Sequence, residues 1–346
     1  MLHRSLRRNT AAANFLLLWC LPFWLCSATA DEPKVNPAKK PAAGTPAVPQ
    51  PAPDDPAAPQ PVLKPLKPLP ELLQKEVAGR TALNPEGTVF LDAAGNRLLL
   101  RAEVACPDCI LEMALVPEGN REHETILRIR SKAFVIHAGL LALGLQPGKP
   151  ASFSPEFKAP SGPVIEVTAV WLNERGERQQ RPLQEWIRNN THRYHAAAMQ
   201  GPPPNLELPY KALRWDKFNK EILWYGPMSD EDRDDLLGKW DHEPYRAAIR
   251  RFHEAGQSRP MQAEFVFAGS SMFRDEETGR EYYQAEGGHL ICTSNFPDAL
   301  LDIREQSSAS DGAQSYEGWT ERIPPEGTPV LLILQSARRE QPTPAK

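Results

Sequence analysis

The chain lacks several signatures that would place it in a common class of protein. Its 346 residues contain no P-loop, no GxGxxG dinucleotide-binding motif and no GxSxG elbow, so the sequence predicts neither nucleotide binding nor α/β-hydrolase chemistry. After residue 30, no apolar run approaches the ~20 residues that span a bilayer. The formal net charge is −4 and no basic stripe is present. We therefore expect no nucleic-acid partner and no membrane span beyond the first thirty residues.

The first thirty residues predict export. Three arginines and no acidic residue precede the apolar run FLLLWCLPFWLC, which is too short to cross a bilayer comfortably. Ala28 and Ala30 then stand at the two positions that a signal peptidase reads. We predict a signal peptide over residues 1–30 with cleavage after Ala30, and a periplasmic or extracellular location; an uncleaved anchor is the alternative. Loss of the three arginines shifts the net charge from −4 to −7.

Residues 31–70 differ in composition from the rest of the chain. They hold 13 of the 36 prolines and no aromatic residue. Proline has no backbone N–H for helix or sheet bonding, and the tract has too little apolar surface to offset the entropy lost on ordering. We predict a disordered Pro/Ala-rich linker here, a globular domain over residues 71–336 and a disordered tail over residues 337–346.

The globular region is predicted to be α+β, with a mainly antiparallel sheet, one central buried helix and a helical insertion. Segments such as TVFLD, RLLLRAEVA, ILEMALV, ETILRIR and PVLLILQ predict strands, and RPLQEWIRN suggests another. KAFVIHAGLLALGL, residues 132–145, has apolar residues on most faces and predicts the buried helix, with Ser131 as its cap and Gly144 at its end. Strands dominate, so we expect mostly antiparallel pairing.

Residues 192–262 interrupt the strand pattern. KALRWDKFNKEI, SDEDRDDLLGKW and EPYRAAIRRFHEAG each suggest a helix. In the second, Ser229 is placed to act as an N-cap and acidic residues occupy the first turn. We therefore predict a mainly helical insertion into the β-rich body.

The stretch VACPDCILEM contains the one CxxC pair of the chain. A hairpin folded about CPDC would place apolar pairs on one face: Val104 with Leu111, Ala102 with Met113, and Leu100 with Leu115. A β-turn brings its first and fourth Cα atoms within about 7 Å, which overlaps the range that a disulfide tolerates. Because export exposes thiols to oxidants, the favoured interpretation is a hairpin tip closed by a Cys106–Cys109 disulfide.

Other chemistry at CPDC stays open. A redox centre is one alternative, although catalytic CxxC pairs usually start a helix and a strand is predicted here. A zinc site is another: Cys106 and Cys109 would need ligands such as His123, His137 or Cys292, and no spacing demands that they converge. Two free thiols are also possible. Three mature cysteines are too few for an ordinary iron–sulfur cluster, so no cofactor is predicted.

Four polar residues are the best catalytic candidates. His123, Glu124, His137 and Glu286 could form a His/Glu cluster if the fold brought them together. A histidine within FVIHAGLL is more often a satisfied core residue than a ligand. Candidate binding residues are Gly287 and Gly288, whose flexibility permits close approach, together with Ser294 and Asn295 after a strand. A tight turn is the alternative for the two glycines.

Several segments resemble the YdjY family of exported bacterial proteins. They are EHETILRIRSKAFVIHAGLLALGLQPGKP (122–150) and, within 264–331, EFVFAGS, DEETGREYYQAEGGHLICTSNFPDALLDI and TERIPPEGTPV. The resemblance covers most of residues 84–335 apart from the insertion, and CPDC looks like a further elaboration. It implies an envelope domain of unknown activity and brings no catalytic residues.

The leading functional hypothesis is an exported, envelope-associated domain that binds a ligand or partner and is not an enzyme. A metal-assisted hydrolase using the His/Glu cluster is the first alternative. A thiol–disulfide redox protein using Cys106 and Cys109 is the second.

Overall fold

A computed structural model describes residues 66–310 and 314–337. The predicted signal peptide, its cleavage site after Ala30, most of the predicted linker and nearly all of the predicted tail lie outside the described residues. Within the described ranges, no helix has both the length and the apolar character needed to cross a membrane.

The secondary structure consists mainly of strands. The helices are α1 (Glu71–Val77), α2 (Ala133–Ala142), α3 (Asp230–Lys239) and α4 (Glu243–Ala255). The strands are β1 (Thr81–Ala82), β2 (Val89–Asp92), β3 (Arg97–Val104), β4 (Ile110–Leu111), β5 (Met113–Pro117), β6 (Thr125–Ile129), β7 (Ile165–Leu172), β8 (Arg178–Pro182), β9 (Ile187–Asn189), β10 (Tyr194–Ala198), β11 (Leu213–Asp216), β12 (Glu221–Tyr225), β13 (Phe265–Phe267), β14 (Met272–Arg274), β15 (Glu281–Tyr283), β16 (Ile291–Cys292), β17 (Leu301–Ile303), β18 (Tyr316–Gly318) and β19 (Pro329–Ser336).

One large sheet forms the body. Its strands lie in the order β13-β17-β16-β5-β6-β3-β19-β7-β8, with β2 beside β3 and β1 beside β2. All of its strand pairs are antiparallel except β5–β6 and β16–β17. An isolated bridge between Val164 and Val266 joins the residue before β7 to strand β13. The predicted α+β class with a mainly antiparallel sheet is therefore confirmed.

The central strands are apolar on both faces because both faces of the sheet are covered. Leu98 and Leu100 of β3 point into the main core, which also contains residues of α2. Leu99, one position out of phase, packs with Leu331 of β19 and with Leu73 of α1. Side chains alternate between faces along a strand, so the run LLL reflects burial on two sides.

Helix α2 is buried on one face only, which corrects the prediction of a buried helix with apolar residues on most faces. Ile136 and Leu140 are buried, whereas Phe134 is 57% exposed and Leu141 is 42% exposed. The predicted cap is also wrong. Lys132 occupies the N-cap position without a side-chain bond, and the Ser131 hydroxyl donates instead to the Lys132 carbonyl.

The predicted CPDC hairpin is wrong, although the two cysteines do meet. Strand β6 lies between β3 and β5, pairing Val104 with Leu127 and running parallel to β5. Leu111 belongs to β4 and pairs with Tyr316. Five of the six residues predicted to share an apolar face lie in the main core, whereas Met113 packs in a separate cluster with Cys292. The hairpin itself does not form because another apolar strand, β6, occupies the edge of β3. The Cys106 and Cys109 Cα atoms are 5.7 Å apart and their sulfur atoms lie at bonding distance.

The region 192–262 is not mainly helical. SDEDRDDLLGKW and EPYRAAIRRFHEAG form α3 and α4 as predicted, and the Ser229 hydroxyl accepts the Asp232 N–H. KALRWDKFNKEI instead forms β11 and the start of β12, which join β10 in a separate sheet. The region has its own core, which includes Trp224, Tyr245 and Phe252. The predicted strand RPLQEWIRN is likewise interrupted, by a 3-10 turn at Leu183–Trp186.

Candidate functional site

Glu286 caps helix α2 from a distant part of the chain. Its two carboxylate oxygens accept the backbone N–H groups of Ala133 and Phe134, each at 2.9 Å. The first N–H groups of a helix have no partner within the helix, and the helix dipole favours a negative charge there. The structure thus gives this catalytic candidate a capping role.

His137 lies one helical turn further along α2 and bonds to a tyrosine. Its Nδ1 is 2.7 Å from the Tyr283 hydroxyl, which donates to the Gly269 carbonyl at 2.9 Å. The hydroxyl proton is used in that bond, so Nδ1 carries the proton that joins His137 to Tyr283. Phe267 packs against the imidazole edge to face. Burial lowers the pKa of His137, which favours the neutral ring.

His123 and Glu124 lie on a short 3-10 turn before β6. His123 is exposed. Glu124 forms an ion pair with Arg121. Among the described residues, neither of them bonds to His137 or Glu286, so the structure places the four catalytic candidates in two groups with different partners.

The binding candidates after β15 hold loops together. The Gly287 carbonyl accepts a bond from Asn120 Nδ2 at 2.9 Å. Gly288 has a φ of 125°, and a Cβ there would lie 3.2 Å from the Asn120 amide, so glycine suits this turn. The Ser294 hydroxyl donates to the Ser308 carbonyl. Asn295 donates to Asp302 and to the Ile303 carbonyl.

A buried charge network beside these loops was not predicted. Arg121 forms ion pairs with Glu112 and Glu124 and lies 2.9 Å from His289 Nε2. A guanidinium only donates, so Nε2 must accept and the ring proton sits on Nδ1. That atom is 2.8 Å from Asp298. The EGGH motif suggested roles for its glutamate and its two glycines, but not for its histidine. No local sequence pattern indicates that this residue, His289, bonds to Arg121 and lies next to Asp298.

The cysteine candidates divide into a pair and a single buried residue. Within the described ranges, Cys106, Asp108 and Cys109 are the one group of three residues whose potential metal-ligand atoms all lie within 4.8 Å. Their sulfur atoms are at bonding distance, and a disulfide offers no thiolate. Neither His123 nor His137 joins this group. Cys292 is fully buried, and burial raises the pKa of its thiol well above the ordinary value.

A charged cleft of about 430 Å³ opens beside β3 and β6. This volume falls in the range typical of small-molecule sites. Charged side chains from both strands and from adjoining loops line it, namely Lys67, Arg101, Glu103, Glu118, Glu122, Arg128, Arg130 and Glu326. Alternation in RLLLRAEVA and ETILRIR places polar residues on one face of each strand, but the sequence does not show that these two faces adjoin.

Most of the cleft charges are paired. Arg128 bonds to Glu103 and, at 2.7 Å, to Glu122. Arg130 makes two bonds to Glu118, at 2.6 and 2.9 Å. Arg101 differs, because its guanidinium donates to the backbone carbonyl of Lys67 and forms no ion pair with any described residue. The cleft can therefore offer hydrogen-bond donors to a ligand at Arg101.

Comparison with known proteins identifies a family but no activity. The model of the YdjY domain matches residues 86–200 and 236–335. The matched range includes the CPDC turn, which the sequence had suggested to be an elaboration, and the unmatched stretch 201–235 is shorter than the predicted insertion. No curated protein and no solved structure matches the chain. Because the family model covers more than half of the residues, the chain belongs to the YdjY family.

Proposed function

We propose that this protein is an exported, envelope-associated domain that acts by binding a ligand or partner. The N-terminal pattern of residues 1–30 and the Pro/Ala-rich residues that follow support export and tethering. The close Cys106–Cys109 pair is suited to an oxidising compartment.

The charged cleft beside β3 and β6 carries the ligand-binding part of this proposal. It combines a volume of about 430 Å³ with guanidinium and carboxylate groups held on two neighbouring strands. Groups on strands are positioned more precisely than groups on mobile loops. Such a cleft can orient a small polar ligand without any reacting group.

The placement of the catalytic candidates favours binding over hydrolysis. Glu286 uses both of its carboxylate oxygens to accept N–H groups at the start of α2. A general base needs a free acceptor within reach of substrate. The metal-assisted hydrolase remains the alternative that elemental analysis addresses: stoichiometric zinc in the purified mature protein would favour it over a binding domain.

Thiol–disulfide exchange is a second candidate function, supported by the partial exposure of Cys106 and Cys109. Strand β4 follows this pair, so a helix dipole is not there to stabilise a thiolate. Measurement of the reduction potential of the pair separates the two functions. A value below about −300 mV is typical of a structural disulfide, whereas a markedly higher value would favour redox activity.

Export is tested on the full chain expressed in a bacterial host with a C-terminal tag. We expect the tagged protein in the envelope or periplasmic fraction, with an intact mass that corresponds to a chain beginning at Asp31. A variant with Ala28 and Ala30 both changed to Arg should retain the N-terminal segment. Recovery of the wild-type chain at full length from the cytosol would overturn the proposal.

A further inference from the structure

Two arginines of the charged cleft, Arg101 of β3 and Arg130 directly after β6, lie near each other. The antiparallel pairing of β3 with β6 ends at Ala102 and Ile129, and Arg101 and Arg130 are the next residues of the two segments and both line the cleft. Burial of the side chain and then the nearby Arg130 lower the pKa of Arg101, and the carboxylate of Glu103 offsets part of this effect.

Only one of these two arginines is neutralised by a carboxylate within the described residues. Glu118 holds Arg130 with two hydrogen bonds. Arg101 donates to the Lys67 carbonyl and has no ion-pair partner there. A guanidinium carries five N–H donors in a planar fork, so one carbonyl leaves most of them available. A partly buried cation that has no direct ion pair among the described residues and lies near a second cation is a site that an anion would stabilise.

The other charges of the cleft restrict which anion fits. Glu103, Glu118, Glu122 and Glu326 also line it. Four carboxylates repel a doubly charged phosphate more strongly than a singly charged carboxylate. A carboxylate also matches the guanidinium fork with two parallel hydrogen bonds. The balance of charges thus favours a small monocarboxylate.

We propose that Arg101 binds the carboxylate group of a small ligand in the cleft formed beside β3 and β6. This inference rests on the ligand-binding part of the proposed function and is independent of export. The carboxylate replaces the missing ion-pair partner of Arg101 and relieves the repulsion between Arg101 and Arg130. Lys67, whose ammonium group donates to the Gly327 carbonyl at 2.8 Å, borders the same site.

The test measures how the unfolding temperature of the purified mature protein depends on the concentration of added N-acetylglycine. This dependence gives the apparent binding affinity. Sodium chloride and sodium phosphate at equal ionic strength are the comparison salts. We expect N-acetylglycine to raise the unfolding temperature beyond the effect of either salt. Arg101→Gln should weaken the apparent affinity at least tenfold, and Arg101→Lys, which keeps the charge but loses the fork, should weaken it at least threefold.

Arg304→Gln is the matched control, because Arg304 is an exposed arginine that pairs with Glu264 outside the cleft. The affinity of this variant for N-acetylglycine should stay within twofold of the wild-type value. The inference is overturned if N-acetylglycine acts no more strongly than chloride, if phosphate binds in its place, or if the Arg101 variants bind like wild type. If Arg101→Gln does not fold, Arg101→Lys provides the comparison with wild type. Failure of export in the fractionation experiment would leave this result unaffected.

Discussion

Glu286 and Ala133 are separated by 153 positions in the chain, yet the carboxylate of Glu286 accepts the backbone N–H of Ala133 and that of the next residue. This contact ties the loop after β15 to the first turn of α2. It replaces the local serine cap that the sequence suggested. It also uses both oxygens of Glu286, one of the two acidic residues in the hydrolase hypothesis.

Removing this cap should destabilise the fold. We expect Glu286→Ala to lower the free energy of unfolding by about 1–2 kcal/mol, the usual cost of losing a helix cap. Glu286→Gln keeps one acceptor oxygen and should cost less. Urea unfolding measures both values. Glu276→Ala, at an exposed position, is the control and should stay within about 0.5 kcal/mol of wild type. Equal effects of the Glu286 and Glu276 substitutions would contradict the capping role.

Asp302 should make stability depend on pH near neutrality. Its side chain is fully buried, and burial raises its pKa from 3.8 to about 7. The folded state therefore keeps a proton that the unfolded chain has already lost. This contribution to stability is complete below about pH 4 and is lost as the pH rises through about 7.

Asp302→Asn removes this titration while keeping a similar shape. We expect the difference in unfolding free energy between wild type and variant to change by a few kcal/mol from about pH 5 to about pH 8. Wild type should become less stable relative to the variant as the pH rises. Denaturant unfolding at a series of pH values measures it. Asp241→Asn, whose side chain is 97% exposed, should show no such change. A difference that does not vary with pH would show that Asp302 has an ordinary pKa.

Thiol counting tests the Cys106–Cys109 bond. The mature chain should show one reactive thiol per molecule when unfolded without reductant, because Cys292 is the cysteine that remains unpaired, and three after reduction. Cys292→Ser should lower the first count to zero. Three reactive thiols in the unreduced wild-type chain would exclude the disulfide. In the folded protein Cys292 should react slowly, because it is buried and burial raises its thiol pKa.

Two glycines should respond in opposite directions to the same substitution. A Cβ on Gly148 would lie 1.9 Å from the Ser161 carbonyl oxygen, so Gly148→Ala forces the backbone apart. We expect a loss of more than about 2 kcal/mol. Gly238 lies within α3 with nothing inside 4 Å of its Cβ position, so Gly238→Ala should raise stability by up to about 1 kcal/mol. Thermal unfolding of both variants provides the comparison; a neutral Gly148→Ala would contradict the close approach of these loops.

Local patterns predicted elements well where the signal lay within the element. RLLLRAEVA forms β3, PVLLILQ forms β19 and Ser229 caps α3. The helix predicted for KALRWDKFNKEI was wrong, and the reason is visible in the local sequence. The Asp216 carboxylate accepts the N–H groups of Phe218 and Asn219, and such a side-chain turn reverses the chain into a hairpin.

The candidate site was less accessible to prediction because its contacts are long-range. Glu286 and His137 were identified as residues, but the bonds that define their roles come from α2 and from the segments around Gly269 and Tyr283. Arg101 was not singled out at all. Its distinctive feature is the proximity of Arg130, which directly follows β6, and no spacing along the chain encodes that proximity.

The sequence by itself determined the predicted export signal, the composition boundary at the proline-rich tract, the membership of the YdjY family and most of the strand segments, since each depends on residues close together in the chain. Tertiary structure decided which strands pair. Backbone hydrogen-bonding edges are the same for every strand, so the partner is chosen by how the whole set of apolar faces can be buried. That choice placed β6 between β3 and β5 and brought Arg101 and Arg130 into the same cleft.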